Sequence, residues 1–216
     1  MGTTLDFHSF HIEPASTMEI IHYPHPTLRY RSKPVLKMDD QLARIVAEMF
    51  ELMYAAKGIG LAANQVDLPL RLFVANLKSD PNEGEELVFI NPILSRPKGS
   101  DEAEEGCLSL PGVYAPVVRP AEVRVQAYNL AGELFDATVG GLLGRVIQHE
   151  TDHLDGVLFI DRLTDEAEAG VQEELEGFEF EFRDLRARGA IPPDDAIRDR
   201  LTEWEQKYCL AATASK

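Results

Sequence analysis

Apolar side chains recur at spacings of three and four residues in several stretches of this chain. Leu42, Ile45, Val46, Met49, Leu52 and Met53 form one such stripe. That spacing places them on one face of a helix. Asp39 or Asp40 supplies an N-cap and Gly58 a stop. A second stripe, Val171, Leu175, Phe178, Phe182 and Leu185, is broken by Gly189 and by Pro192-Pro193. A third, Ile197, Leu201, Trp204 and Tyr208, follows Asp194 as cap. The last two predict a helical hairpin that packs on the main body by its apolar faces.

Other stretches follow a different rhythm. "LRLFVANL" reads as a strand, and so does "ELVFINPIL", interrupted by Pro92. "AEVRVQAYNLAGELFDATV" alternates, with turn residues from Asn129 to Gly132, and predicts a hairpin. The acidic run "GSDEAEEG" reads as a solvated loop. "GGLLGRVIQHETDHLDG" predicts a helix from Leu142 to Leu154 that ends near Gly156.

Composition narrows the setting. A chain of 216 residues, 44% hydrophobic, is long enough for one domain with a substantial core and an appendage. The formal charge of −16 argues against a broad basic face for nucleic acid and leaves room only for a local patch. No apolar run approaches the length of a membrane span. Residues 1–17 read as a loose leader without the basic start and apolar core of a signal peptide, and its His8 and His11 as solvated. Met18 is an alternative natural start. Two cysteines, Cys107 and Cys209, do not make a secreted disulfide framework, so a reducing cytoplasm is expected. Past Ile160, residues 161–216 hold 15 acidic and 8 basic side chains and read as an acidic helical extension over 164–216.

The chemistry gathers in "QHETDHLDG". His149 and His153 are four residues apart, so on a helix both imidazoles reach one cation. Glu150 stands beside the first of them, where its carboxylate meets a water on that cation. A zinc peptidase uses the same His-Glu-x-x-His pattern. The extended peptidase motif then places a third histidine where this chain has Phe159. The downstream alternatives Glu166, Glu168, Glu173 and Glu174 lie in a stretch so acidic that their presence says little. Cys107, in "EEGCLSLPG", is the better third ligand, because a thiolate binds zinc or ferrous iron strongly. Cys209 sits on the amphipathic tail and reads as structural.

Three separated stretches, "GIGLAANQV" (58–66), "EGCLS" (105–109) and "QHETDH" (148–153), resemble in order and spacing the motifs of the peptide deformylases. The resemblance runs from about Met18 to Ile160 and includes "YPHPTLR" and "GLLGRVIQHE". It implies an α+β fold with β-sheets around a central metal-binding helix, here with a C-terminal helical extension. The catalytic domain would span 18–163. The activity implied is removal of the N-formyl group from formyl-methionine at the start of newly made proteins, releasing formate. The implied cofactor is Fe²⁺, which Zn²⁺, Ni²⁺ or Co²⁺ replaces. The implied partner is the nascent polypeptide at the ribosome, met by a monomer. A zinc peptidase and a non-catalytic metal-binding module are the competing readings.

Carried over by position, Cys107, His149 and His153 resemble the ligands, and Glu150 the general base and acid. Gln65 and the Leu108 N–H resemble the donors to the reacting oxygen. Gly60 resembles the backbone position that docks substrate. Ile59, Leu142 and Val146 resemble the lining of the methionine pocket. Glu105 and Arg119 read either as a pair that fixes the cysteine loop or as an exposed ion pair. Asp152 reads as solvated or capping. Asp67 stands where many relatives place glycine, and Tyr114 where some have arginine. The acidic tail argues against ribosome docking through a basic C-terminal helix.

Overall fold

The computed structural model describes residues 18–210. The leader with His8 and His11 lies outside the described residues. Helix α1 (Asp40–Ala55) is followed by β1 (Gly60–Ala62), β2 (Leu72–Ala75), β3 (Leu87–Lys98), β4 (Asp101–Cys107), β5 (Leu110–Arg119), β6 (Glu122–Tyr128) and β7 (Leu134–Gly140). Helices α2 (Gly141–Leu154), α3 (Asp165–Ala187) and α4 (Asp194–Tyr208) complete the chain. Five antiparallel strands form one sheet in the order β1-β2-β3-β6-β7, and β4 pairs with β5 in a second. The expected α+β architecture is present, with α2 between the sheets.

Each element follows from local chemistry. Asp39, not Asp40, caps α1: its side chain accepts from the Leu42 N–H at 2.9 Å. The expected stop at Gly58 is corrected in its detail. Lys57 takes the left-handed turn, at φ 57°, and Gly58 is needed for space. A Cβ on Gly58 would meet Leu108 Cδ1 at 2.6 Å. Pro92 does not end β3. The register with β6 shifts between Ile90 and Ile93, and this bulge takes up the missing donor. The β6–β7 hairpin turns as expected, with Asn129 Oδ1 accepting from the Ala131 and Glu133 N–H groups.

The acidic run expected to be a loop is strand β4. Its partner β5 buries Leu110, Val113, Ala115 and Val117 along one face, and that packing holds β4 in register. Burial therefore overrides the poor strand propensity of the acids. Glu102 and Glu104 point to solvent, whereas Glu105 is buried.

Helix α2 has ten buried residues out of fourteen, so it is a core helix. Val146, Ile147 and Leu154 pack with Phe73, Phe89, Val123 and Val125 of the large sheet. Gly144 lets the helix approach β7: a Cβ there would lie 3.1 Å from the Val139 carbonyl oxygen. The predicted helical hairpin also forms. Val171 and Leu175 of α3 pack with β5 residues, and Tyr208 of α4 enters the core built on α1. Thr164 caps α3. Asp194 is the first residue of α4 rather than its cap; Pro193 takes that position without a side-chain bond. Among the described residues no helix is long and apolar enough to cross a membrane.

Candidate metal centre

Cys107, His149 and His153 converge, with one donor atom of each lying within 4.8 Å of the others. Cys107 ends β4 where the register with β5 shifts, and the irregularity turns its thiol toward α2. Its Sγ lies 3.2 Å from His153 Nε2. The two imidazoles sit one helical turn apart, with ring centroids separated by 5.0 Å. Two imidazole nitrogens and a thiolate make a donor set that suits zinc or ferrous iron. No other group of three or more His, Cys, Asp or Glu donors of this kind occurs among the described residues.

His149 is oriented from behind. Glu105 Oε2 lies 2.9 Å from its Nδ1, leaving Nε2 to face the cluster. Burial opposes a charge on His149, but hydrogen bonds to Cys107 and Glu105 and the charge of Glu150 raise its pKa overall. A cation needs the neutral ring, so a proton and a metal ion compete for His149. His153 moves the opposite way: burial first, then the charge of His149, lower its pKa.

Glu105 is itself buried at 7% exposure. Arg119 Nε and Nη2 donate to its two oxygens at 2.6 and 2.9 Å, and Arg145 Nη1 donates at 2.7 Å. Burial alone would raise its pKa; hydrogen bonds from His149 and Arg119 outweigh that and hold it well below the usual carboxylate range. Of the two readings of the Glu105–Arg119 pair, the structure has the buried one. The expectation for Asp152 is corrected. It is neither free nor a cap, because Arg119 Nη1 donates to it at 2.7 Å and Arg162 pairs with it from the other side.

Glu150 is 4% exposed, and its Oε2 has no hydrogen-bond partner. Burial raises its pKa to about 7, against the lowering charges of His149 and Arg119. Gly60 makes room for it: a Cβ there would lie 2.5 Å from Glu150 Oε1. Gln65 is held by the Ala62 N–H, which donates to its Oε1 at 2.9 Å. Its Nε2 then points at the cluster, 3.3 Å from Cys107 Sγ and 3.2 Å from Ser109 Oγ. Leu108 follows Cys107 directly, with its half-buried side chain against Gly58.

The pocket residues divide. Ile59 and Val146 pack in the same apolar cluster. Leu142 stands outside it, 53% exposed, on the first turn of α2. Tyr114, 62% exposed, lies over Gly106, where a Cβ would meet its ring at 2.5 Å. Phe159, at the place where the extended peptidase motif has histidine, is fully buried and stacks on His149 with ring centroids 6.2 Å apart. It closes that side of the centre with carbon rather than a ligand.

A model of the polypeptide deformylases matches residues 17–169. The chain belongs to the polypeptide deformylase family. Among family members, the peptide deformylase of Rhodopirellula baltica is 43% identical over 198 residues, covering 92% of this chain and 98% of the relative. Peptide deformylase 1B, chloroplastic/mitochondrial, of Arabidopsis thaliana is 44% identical over 186 residues; the match spans 85% of this chain and 66% of that longer protein. In structure, a crystal form of an Arabidopsis thaliana deformylase 1B variant superposes with a TM-score of 0.77 at 41% identity, covering 82% of this chain and 96% of that one. The Plasmodium falciparum deformylase gives 0.74 at 39% identity over 78% and 98% of the two chains. The deformylase resemblance read from three short motifs therefore extends through most of the chain.

Several side chains that bond to the residues around this cluster escaped sequence reasoning. Ser109, fully buried, accepts from Gln65. Asn64 donates its side-chain amide to the His153 carbonyl. Arg145 joins Glu105 to Asp101. The available signal for Arg145 was its place one helical turn before His149, on the same face of the helix. Ser109 and Asn64 carried none, because their partners are distant in sequence.

Proposed function

We propose that this chain hydrolyses the N-formyl group of formyl-methionine at the start of new polypeptides, with Fe²⁺ held by Cys107, His149 and His153. The carrying observation is the convergence of those donors beside a buried, half-unpartnered Glu150. When bound, the cation supplies Lewis-acid activation of water and of the formyl carbonyl. Glu150, raised to about 7 by burial, suits both halves of a proton relay. It takes a proton from the attacking water and later delivers it to the departing amine.

Gln65 Nε2 and the Leu108 N–H donate to the oxygen on which negative charge grows. Ala62 fixes the Gln65 amide before substrate arrives, so little reorganisation is needed. Gly60 leaves the substrate backbone a close approach. Ile59 and Val146 form the apolar wall for the methionine side chain, with Leu142 at its rim. Phe159 and Leu154 keep bulk water from the rear of the centre, both being fully buried. Intact Glu150 and Gln65 favour catalysis over a structural metal site, which requires neither. A cytoplasmic monomer acting near the ribosome fits this role and the two free cysteines.

The test is formate release from a formyl-Met tripeptide by chain purified without oxygen and loaded with Fe²⁺, Ni²⁺ or Co²⁺. Release with all three, fastest with Fe²⁺, is expected. Absence of formate, or cleavage of internal bonds in an unformylated peptide, overturns the reading.

A further inference from the structure

The donors of the metal cluster come from two different parts of the fold. Cys107 belongs to the small sheet, whereas His149 and His153 belong to α2. The separation of sheet and helix therefore sets how the thiol meets the two imidazoles. Apolar packing is divided between them. Val146, Ile147 and Leu154 of α2 pack with the large sheet. Leu110, Val113 and Val117 of β5 belong to a separate apolar cluster, to which α2 contributes no residue.

Polar bonds cross from the helix to the small sheet instead. Arg119 donates to Asp152, and Gln148 Nε2 donates to the Pro120 carbonyl just past β5, at 3.1 Å. Arg145 makes the widest connection. It is 9% exposed and lies one helical turn before His149 on the same face. Its Nη1 donates to Glu105 Oε1 at 2.7 Å and to the Val117 carbonyl at 3.0 Å. Its Nη2 donates to the carbonyl and to the carboxylate of Asp101, each at 2.9 Å. One planar guanidinium thus holds β4 at two points and β5 at a third. Glu105, one of those points, is two residues before Cys107. Arg119 already donates to both oxygens of Glu105, so that carboxylate has a cation without Arg145. What Arg145 adds is a rigid tie from the helix to both strands.

We propose that Arg145 is a positioning residue: it fixes the Cys107 strand against the helix of His149 and His153, and so sets the affinity and geometry of the metal centre. The inference rests on cation binding by that cluster. Groups that hold metal ligands from behind are typically worth about 10–100-fold in affinity. Lysine would keep the charge at this position, but its donors leave from a single point and cannot span Glu105, Val117 and Asp101 together.

Co²⁺ reads both parts of the proposal, through its affinity and through the absorption band of a thiolate–cobalt bond. The full chain, freed of metal, is titrated with Co²⁺ without oxygen. Arg145→Met should weaken binding about 10–100-fold and shift or weaken the band. Arg145→Lys should also lose more than about twofold in affinity, with an altered band. Tyr208→Ala is the control for lost stability, because its side chain lies in the α1 core. It should lower the melting temperature and leave affinity and band unchanged. Arg145 variants that bind within about twofold of the parent, with the parent's band, overturn the proposal. Equal changes in Tyr208→Ala also overturn it, since general destabilisation would then account for them. If Arg145→Met does not fold, Arg145→Lys decides by the same criterion. A parent chain that binds no Co²⁺ overturns the reading of the cluster itself and this inference with it.

Discussion

Glu105 Oε2 and His149 Nδ1 lie 2.9 Å apart, joining the small sheet to the helix at the metal cluster. The bond fixes the ring so that Nε2 faces Cys107 and His153. Glu105→Gln should therefore weaken metal binding by about 10–100-fold. It also leaves Arg119 and Arg145 without their shared carboxylate, at a cost of about 3–5 kcal/mol. Competition with a chelator reads the first effect and urea unfolding of the metal-free chain the second. Unchanged metal affinity would make the contact structural only.

Glu150→Gln should retain the metal and lose about 10²–10⁴-fold in kcat. Metal analysis beside formate release checks this; loss of metal would reassign Glu150 as a ligand.

Gly60→Ala tests the same carboxylate from outside. The new Cβ would stand 2.5 Å from Glu150 Oε1, so the carboxylate must shift. A fall in kcat with the metal retained and the melting temperature nearly unchanged is expected. Full activity would show that Glu150 tolerates the displacement.

His25 gives stability a pH dependence away from the metal. Burial, helped by the charges of Arg200 and Arg186 against Asp194, lowers its pKa from 6.5 to about 4. Its Nδ1 accepts from the Thr27 N–H, a bond that protonation there would remove. Between these values the unfolded chain takes up a proton that the folded chain refuses. Stability contributed by His25 is thus intact above about pH 6.5 and is lost as the pH falls toward 4, by at most ~3 kcal/mol. Urea midpoints at the two ends of this window should converge in His25→Gln. An identical pH slope in the variant would contradict the assignment.

Tyr208 anchors the C-terminal helices. It is fully buried in the α1 core and stacks on Trp204 at 5.9 Å. Tyr208→Ala should cost about 3–5 kcal/mol, as truncation of buried aromatic side chains does. Phe180→Ala, at a side chain 70% exposed, should stay within about 0.5 kcal/mol. Chemical denaturation of both variants separates an integral helix from an accessory one.

Asp67 shows how the extension ties into the body. It adopts a left-handed conformation, at φ 63°, where glycine is the easy choice. Its carboxylate pairs with Arg200 of α4 and accepts from the Thr27 hydroxyl. Glycine would relieve the backbone but lose both partners.

Local pattern alone determined the helices, the 122–140 hairpin and the placing of His149, Glu150 and His153 on one helix, whereas Cys107 entered through the resemblance of three separated motifs. Periodicity, capping and ligand spacing are short-range properties written directly in residue order. Tertiary structure decided what depends on long-range pairing. The acidic run became strand β4 because β5 buried its other face. Glu105 and Asp152 left the solvent because Arg119 reaches both from the end of β5. Gln65 gained its direction from Ala62 on one side and from Ser109, more than forty residues away, on the other. Arg145 gained Asp101, Glu105 and Val117 as partners only when α2 packed beside the small sheet. In each case the deciding quantity was burial or a partner far along the chain, and no window of sequence contains either.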